Sequence, residues 1–297
     1  MLKRFVNTIH CALLILLPLS CFAANEAIGE ITHYRVKKQD TLHDIARTSD
    51  LGIIELLNAN PKVDRWQPKA GTLLTLPTLF LYPPPPREGI IINLAEMRLY
   101  YFPSEVDEET MSFPIGPGHP NHPTPIGHTF IKKKRANPIW VPPQSIRDEK
   151  PNLPKVIAAG PHNPLGEYAL NLAWPRFVIH GTNQPWSVGS LVSHGCIRMY
   201  PEDIEKLFHA VPEETSVLII DDKVSLGWVE GALYMDVHTP RTLEKASIAR
   251  QCTTENPNLR QRIITVAGER VHLLDWYKID RELIMRTGIP IRITVPQ

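Results

Sequence analysis

Within nineteen residues the chain places His180-Gly181 and, after a loop-like insert, Ser193-His194-Gly195-Cys196-Ile197-Arg198. An imidazole, a thiol, a small flexible glycine and a guanidinium at this spacing are the parts of a cysteine nucleophile with its base and an anion-binding group. Cysteine is the common side chain that attacks strongly as its anion near neutral pH, and it needs a base or an imidazolium partner to do so. Two histidines are in reach. His194 lies two residues before Cys196; His180 lies sixteen before it, at the end of the strand-like Phe177-Val178-Ile179. Residues i and i+2 of a strand can face the same way, whereas a separate strand gives an imidazole a more rigid approach. Spacing alone leaves the choice of base open.

The elements that must position these groups are mostly strands. Ile90-Ile91-Ile92 and Arg98 to Phe102 read as two strands around an Asn93-Leu94-Ala95-Glu96 turn, with Met97, Leu99 and Tyr101 on one face. Further strands are expected at 129–131, 168–170, 177–179 and 217–220. One helix stands out, from Pro201 to about Ala210, with proline in its first turn and Ile204, Leu207 and Phe208 on one face. Many short strands with one main helix predict a mostly β sandwich or barrel-like sheet over residues 89–222. Residues 33–77 form a separate small unit in the order strand, helix, helix, strand. Asp40 is the expected cap of its first helix and Asp50 of its second, which stops at Asn60-Pro61. The proline run Pro83-Pro84-Pro85-Pro86 marks 78–88 as a stiff linker. Residues 223–297 read as an accessory segment with possible strands at 232–237 and 291–295 and no chemistry-bearing motif.

Composition bounds the function. The 297 residues are 43% hydrophobic and 21% charged, with a net charge of +1, an ordinary globular balance that gives no case for nucleic acid as partner. The first 24 residues read as an export signal: Lys3 and Arg4, the apolar run Ala12 to Leu17, then small residues ending at Ala23-Ala24. The apolar run is short for a bilayer span of ~20 residues, so no membrane span is expected after cleavage; an uncut anchor and lipidation at Cys21 are the alternatives. Cleavage would leave Cys196 and Cys252. In an oxidising compartment two cysteines permit a disulfide, but the His- and Arg-rich surroundings of Cys196 suit a thiolate.

With His180-Gly181 and Ser193-His194-Gly195-Cys196-Ile197-Arg198-Met199 in view, the chain resembles the L,D-transpeptidase catalytic domain of the YkuD type. Pro114-Ile115-Gly116, Thr124-Pro125-Ile126-Gly127, Phe130-Ile131 and Asn137-Pro138-x-Trp140-x-Pro142-Pro143 match that domain as well. The unit at 33–77, with Tyr34-x-Val36, Asp40-Thr41-Leu42, Asn60-Pro61 and Gly71-x-x-Leu74-x-Leu76-Pro77, resembles a LysM module, with Gln39 where that family usually carries glycine. Together with the signal the chain resembles the periplasmic ErfK/YbiS/YcfS/YnhG group of Gram-negative bacteria.

The resemblance implies a cysteine acyltransferase that uses neither metal nor organic cofactor. Cys196 is the implied nucleophile and His180 the proton donor and acceptor, its tautomer set by the Gly181 carbonyl. The backbone around Gly195 and Cys196 is the implied oxyanion hole, with Ser193 and His194 shaping the pocket. Arg198, Thr182 and Asn183 are the expected substrate contacts, though a structural ion pair is an equal alternative for Arg198. The implied partners are peptidoglycan tetrapeptide stems, glycan strands, and a lysine of an outer-membrane lipoprotein as a second type of acceptor; carbapenems should acylate the thiol. Rival readings are an L,D-carboxypeptidase, a glycan-binding scaffold without activity, and a wall-peptide hydrolase of the NlpC/P60 type, in which cysteine precedes histidine. A zinc site at His119-x-x-His122 with His128 and His162 has possible ligand spacing, but the proline and glycine around it read better as a loop.

Overall fold

A computed structural model describes residues 26–105, 108–238 and 257–296. The expected export signal, Cys21 and Cys252 lie outside the described residues. Among the described residues no helix is long and apolar enough to cross a membrane.

The first unit runs β1 (Ala27–Gly29), β2 (Thr32–Arg35), α1 (Leu42–Thr48), α2 (Ile53–Ala59), β3 (Leu73–Leu76) and β4 (Leu79–Leu81). β2 pairs antiparallel with β3, Tyr34 opposite Leu74. The strand–helix–helix–strand order expected at 33–77 is therefore present. Leu42, Ile45, Leu51, Ile53, Leu56 and Leu74 form its core. The caps differ from expectation. Thr41, not Asp40, caps α1, its hydroxyl accepting from the Asp44 N–H at 3.2 Å. Asp40 is already spent on the Lys37 N–H at 2.7 Å and the Tyr34 hydroxyl at 3.0 Å. Gly52, not Asp50, is the N-cap of α2, and the Glu55 carboxylate accepts its N–H. Asn60 ends α2 and fastens it to β3: its Nδ2 donates to the Leu56 and Thr75 carbonyls and its Oδ1 accepts the Thr75 N–H. The stretch read as a linker contains β4, which pairs with β1, Ala27 opposite Leu81.

The middle unit consists of β5 (Gly89–Asn93), β6 (Arg98–Phe102), β7 (Met111–Pro114), β8 (Gly127–Ala136), α3 (Gln144–Glu149), β9 (Tyr168–Leu172), β10 (Val178–His180), β11 (Ile197–Arg198), α4 (Pro201–Ala210) and β12 (Ser216–Ile220). Its strands form one eight-stranded sheet in the order β11-β10-β9-β8-β12-β5-β6-β7. β5 with β12 and β10 with β11 run parallel; the other neighbours are antiparallel. The fold is mostly β, as expected, with α3 as an additional short helix. Ile90, Ile92, Leu99, Leu170, Ile179 and Ile197 point into one core, closed by Ile204 and Leu207 of α4. The opposite face of the sheet centre carries Ile91, Tyr100 and Phe102, covered by Ile28 and Phe80 of the β1–β4 ribbon. Burial on both faces explains why β5 and β6 read as unbroken apolar runs, not as alternating ones.

The third unit is β13 (Val224–Val229), β14 (Ala232–Val237), α5 (Pro257–Ala267), α6 (Trp276–Met285) and β15 (Ile291–Arg292). Leu233, Met235, Ile263, Ile279, Leu283 and Ile293 make its core. The strand expected at 232–237 is β14; of that expected at 291–295 only Ile291–Arg292 pairs as strand, against Met235 and Tyr234.

The first unit is seated beside the chain segment that carries Cys196. Arg47 holds Glu202 through two bonds of 2.7 and 2.8 Å, and the Tyr200 hydroxyl donates to the Leu51 carbonyl. Gly189 has φ +74, and a Cβ there would lie 2.4 Å from the Gly52 Cα. Only glycine allows the two backbones to approach this closely.

Candidate active site

β10 and β11 bring the chemistry together. They pair in parallel, with Ile179 opposite Ile197 and His180 opposite Arg198. Ile179 and Ile197 are both core residues. Strand alternation therefore turns Val178, His180, Arg198 and the adjoining Cys196 to the other face. The insert 181–196, with a 3-10 turn at Pro185–Ser187, is the crossover that a parallel pair requires.

His180 is buried, and its Nδ1 lies 2.6 Å from the Gly181 carbonyl oxygen. A carbonyl only accepts, so Nδ1 is assigned the proton and Nε2 keeps its lone pair. Burial, reinforced by the Arg198 and Arg135 charges, pushes the imidazole pKa down to about 4. Burial likewise pushes the Cys196 thiol above its ordinary value, with the Val178 backbone and the Arg198 charge pulling the other way. The Cys196 thiol donates to the Arg176 carbonyl at 3.4 Å. Both shifts favour the uncharged forms of the two side chains.

The turn before Cys196 is held rigidly. Gly195 has φ +95, and a Cβ there would meet the Phe177 ring at 2.8 Å. The Gly195 carbonyl accepts from the Thr124 hydroxyl at 3.0 Å, and Thr124 Oγ1 in turn accepts the Gly118 N–H at 2.9 Å. Ser193 donates to the Cys196 carbonyl at 2.5 Å, so its hydroxyl is committed to the turn. Thr124 is a positioning residue that sequence reading matched to a motif without assigning it a part; its signal was the Thr-Pro pair that opens that motif.

His194, the other candidate base, points elsewhere. Its Nε2 lies 3.1 Å from both oxygens of Glu149, and its ring stacks on His122 at 4.3 Å. His122 reaches the same carboxylate at 3.5 Å. The neighbouring imidazoles hold the exposed Glu149 carboxyl below the usual carboxylate range. Glu149 ends α3, so this cluster fastens the 139–149 segment to the catalytic turn. In the His119-x-x-His122 stretch, read above as a loop, His119 Nδ1 accepts the Asn121 N–H.

Cys196 opens into a groove of about 500 Å³ bordered by Arg135, Trp140, Pro142, Arg147 and Arg176. Arg135 is held by Asn171 and Arg147 by the Pro142 carbonyl. The Arg198 side chain, half-buried, has no hydrogen-bond or carboxylate partner among the described residues. Its guanidinium is available to an anion. Thr182 and Asn183 fall outside this groove. They line a neighbouring cleft with Glu167, Glu202 and Glu205. The Thr182 hydroxyl accepts the Gln184 N–H, and Asn183 donates to the His162 carbonyl.

Residues 87–219 match the model of the YkuD L,D-transpeptidase catalytic domain. The probable L,D-transpeptidase YbiS of Escherichia coli is 37% identical over 259 residues, covering 85% of this chain and 83% of that protein. The chain belongs to the L,D-transpeptidase family. The probable L,D-transpeptidase YcfS of Escherichia coli is 40% identical, covering 91% of this chain and 86% of its own length. The probable L,D-transpeptidase ErfK/SrfK of Salmonella typhimurium is 33% identical over 96% of this chain and 93% of its own. The similarity to L,D-transpeptidases thus runs through the flanking units as well as the catalytic one. An L,D-transpeptidase structure from Mycobacterium tuberculosis aligns at TM-score 0.34 with 18% identity, over 52% of this chain and 64% of that one.

Proposed function

We propose that this transpeptidase works through a thioester on Cys196 and takes peptidoglycan tetrapeptide stems as acyl donors. The observation that carries the reading is the shared face of His180 and Cys196 at paired parallel strands, with the Gly181 carbonyl against Nδ1 of His180. His180 Nε2 takes the thiol proton as Cys196 Sγ attacks the carbonyl between the L-centre of meso-diaminopimelate and the terminal D-alanine. Backbone N–H groups around Gly195 and Cys196 receive the oxyanion. The C–N bond breaks, and His180 returns its proton to the departing D-alanine amine. The acceptor amine then attacks the thioester, passing its proton through His180 to the sulfur, and the thiol is restored. The acceptor is the D-centre amine of a second stem, giving a 3→3 cross-link, or a lipoprotein lysine. Arg198 supplies the positive charge for a stem carboxylate.

The first unit is read as a LysM module that holds the glycan strand, and residues 1–24 as the signal that delivers the enzyme to the periplasm. Mass spectrometry of tetrapeptide muropeptides incubated with the enzyme, with and without lipoprotein, tests the whole reading. Loss of D-alanine with a new amide is expected, and Cys196→Ala should yield neither. Release of D-alanine by Cys196→Ala would refute it. A carbapenem should add once, at Cys196.

A further inference from the structure

The junction between the middle and third units holds a second cluster, unrelated to the thiol. Glu96 lies in the turn between β5 and β6; Asp236 and His238 lie at the end of β14. Glu96 and Asp236 are each 3% exposed and His238 8%. One ligand atom from each lies within 4.8 Å of the other two. Asp236 and His238 stand two apart at a strand end, so their side chains share a side. His238 Nε2 is 3.1 Å from Asp236 Oδ2. Yet neither His238 Nε2 nor Asp236 Oδ1 has an aligned hydrogen-bond partner among the described residues.

Buried polar atoms are normally paired, and an uncompensated buried charge is strongly unfavourable. The arginine beside the cluster adds its charge but no hydrogen bond. Arg98 of β6 is committed to Glu55, to the Ser112 hydroxyl and to the Asp50 carbonyl. The supports behind Glu96 are in place: the Tyr100 hydroxyl donates to one oxygen, and Asn93 Nδ2 lies 3.4 Å from the other. Such outer hydrogen bonds are what orient a ligating carboxylate. A nitrogen and an oxygen 3.1 Å apart match two corners of a coordination shell with bonds of about 2.0–2.2 Å.

We infer that Glu96, Asp236 and His238 form a structural binding site for one zinc-like divalent cation, which staples the third unit to the β5–β6 hairpin of the catalytic sheet. One imidazole nitrogen with two carboxylate oxygens is a donor set suited to Zn²⁺ and neighbouring transition ions. The inference is independent of the reaction proposed for Cys196.

The test uses the full mature chain carrying His122→Ala, Cys196→Ala and Cys252→Ala, which removes the exposed His122–Glu149–His194 group and both thiols as competing ligands. After EDTA treatment and dialysis, zinc is added and bound metal is counted by mass spectrometry, with Tm measured in parallel. One equivalent of zinc and a Tm rise of several degrees are expected. Cobalt in place of zinc should give visible absorption bands. Glu96→Gln, which keeps the shape of the turn, should lose both the equivalent and the Tm rise while its circular dichroism stays unchanged; Asp236→Asn serves as the second variant should the first fail to fold. A folded parent that takes up less than a tenth of an equivalent, with no change in Tm, overturns the site. So does full zinc binding retained in both folded variants. In either case the cluster is an imidazolium shared between carboxylates.

Discussion

His180 and His194 flank the same cysteine, yet their surroundings give them opposite properties. His180 sits at the end of a core strand, buried, with its tautomer set by a backbone carbonyl. His194 is partly exposed, stacked on His122 and facing the Glu149 carboxylate. The first environment removes charge and fixes orientation, which suits a ring that takes and returns a proton. The second leaves the ring facing a carboxylate and solvent, which suits a clasp. Proximity in sequence to a nucleophile therefore says little about which imidazole serves it; the strand beneath the ring decides.

The largest expected effect separates the two rings directly. His180→Ala should lower the rate of D-alanine release on the order of 10²–10⁴-fold, the usual contribution of a positioned acid–base group. His194→Ala should lower it by no more than about fivefold, because a half-exposed ion pair contributes at most about 1 kcal/mol. Equal losses from the two variants would erase the distinction.

The pH dependence sharpens it. The reactive pair is a thiol with an unprotonated imidazole. His180 acquires a proton only as pH falls toward about 4, and the thiol loses its own only above its ordinary range. Values of kcat/KM should stay level from about pH 5 to pH 9. A break between pH 6 and 7 that vanishes in His180→Gln would show instead a thiolate–imidazolium pair.

Thr124→Val tests whether the turn needs its brace. The change removes the donor to the Gly195 carbonyl and leaves the Gly118 N–H unsatisfied. An orphaned buried group costs about 1–3 kcal/mol, readable as a lower Tm together with slower carbapenem acylation. Glu149→Gln acts on the clasp alone. It should raise KM for stems by about twofold to fivefold while leaving kcat nearly unchanged, since the lost contact is exposed; a fall in kcat with constant KM would place Glu149 in the chemistry.

The smallest effect is expected farthest from the thiol. Gln39 has φ +77, a left-handed backbone that costs a side chain about 1–2 kcal/mol relative to glycine. Gln39→Gly should raise Tm by a few degrees without altering turnover. Gln39, which stands where the LysM pattern usually carries glycine, thus bears backbone strain.

Much of this arrangement is legible in the amino-acid sequence. The β5 and β6 runs, the Pro201 helix start and the βααβ order all follow from apolar periodicity and turn residues. Several exceptions come from partners that lie far away in the chain. β4 is three residues between prolines and exists because β1 pairs with it. α3 has neither a side-chain cap nor a buried residue, so nothing local announces it; its value lies in carrying Glu149 to His194. Asp40 is a good cap by type but is already used by Tyr34 and Lys37. α6 was recoverable, since Asp275 caps it and Ile279 and Leu283 repeat at helical spacing. Thr182 and Asn183 follow His180 in sequence, but the chain turns away after Gly181 and carries them to the next cleft.

The close approach of Gly52 and Gly189, locked by Arg47 on Glu202, has a consequence for scale. Should the first unit hold the glycan strand as proposed, this seam would set one distance between grip and blade. The enzyme would then act as a ruler, cutting and joining at a fixed pitch along each strand of the wall, with its spacing written in the seam between two glycines.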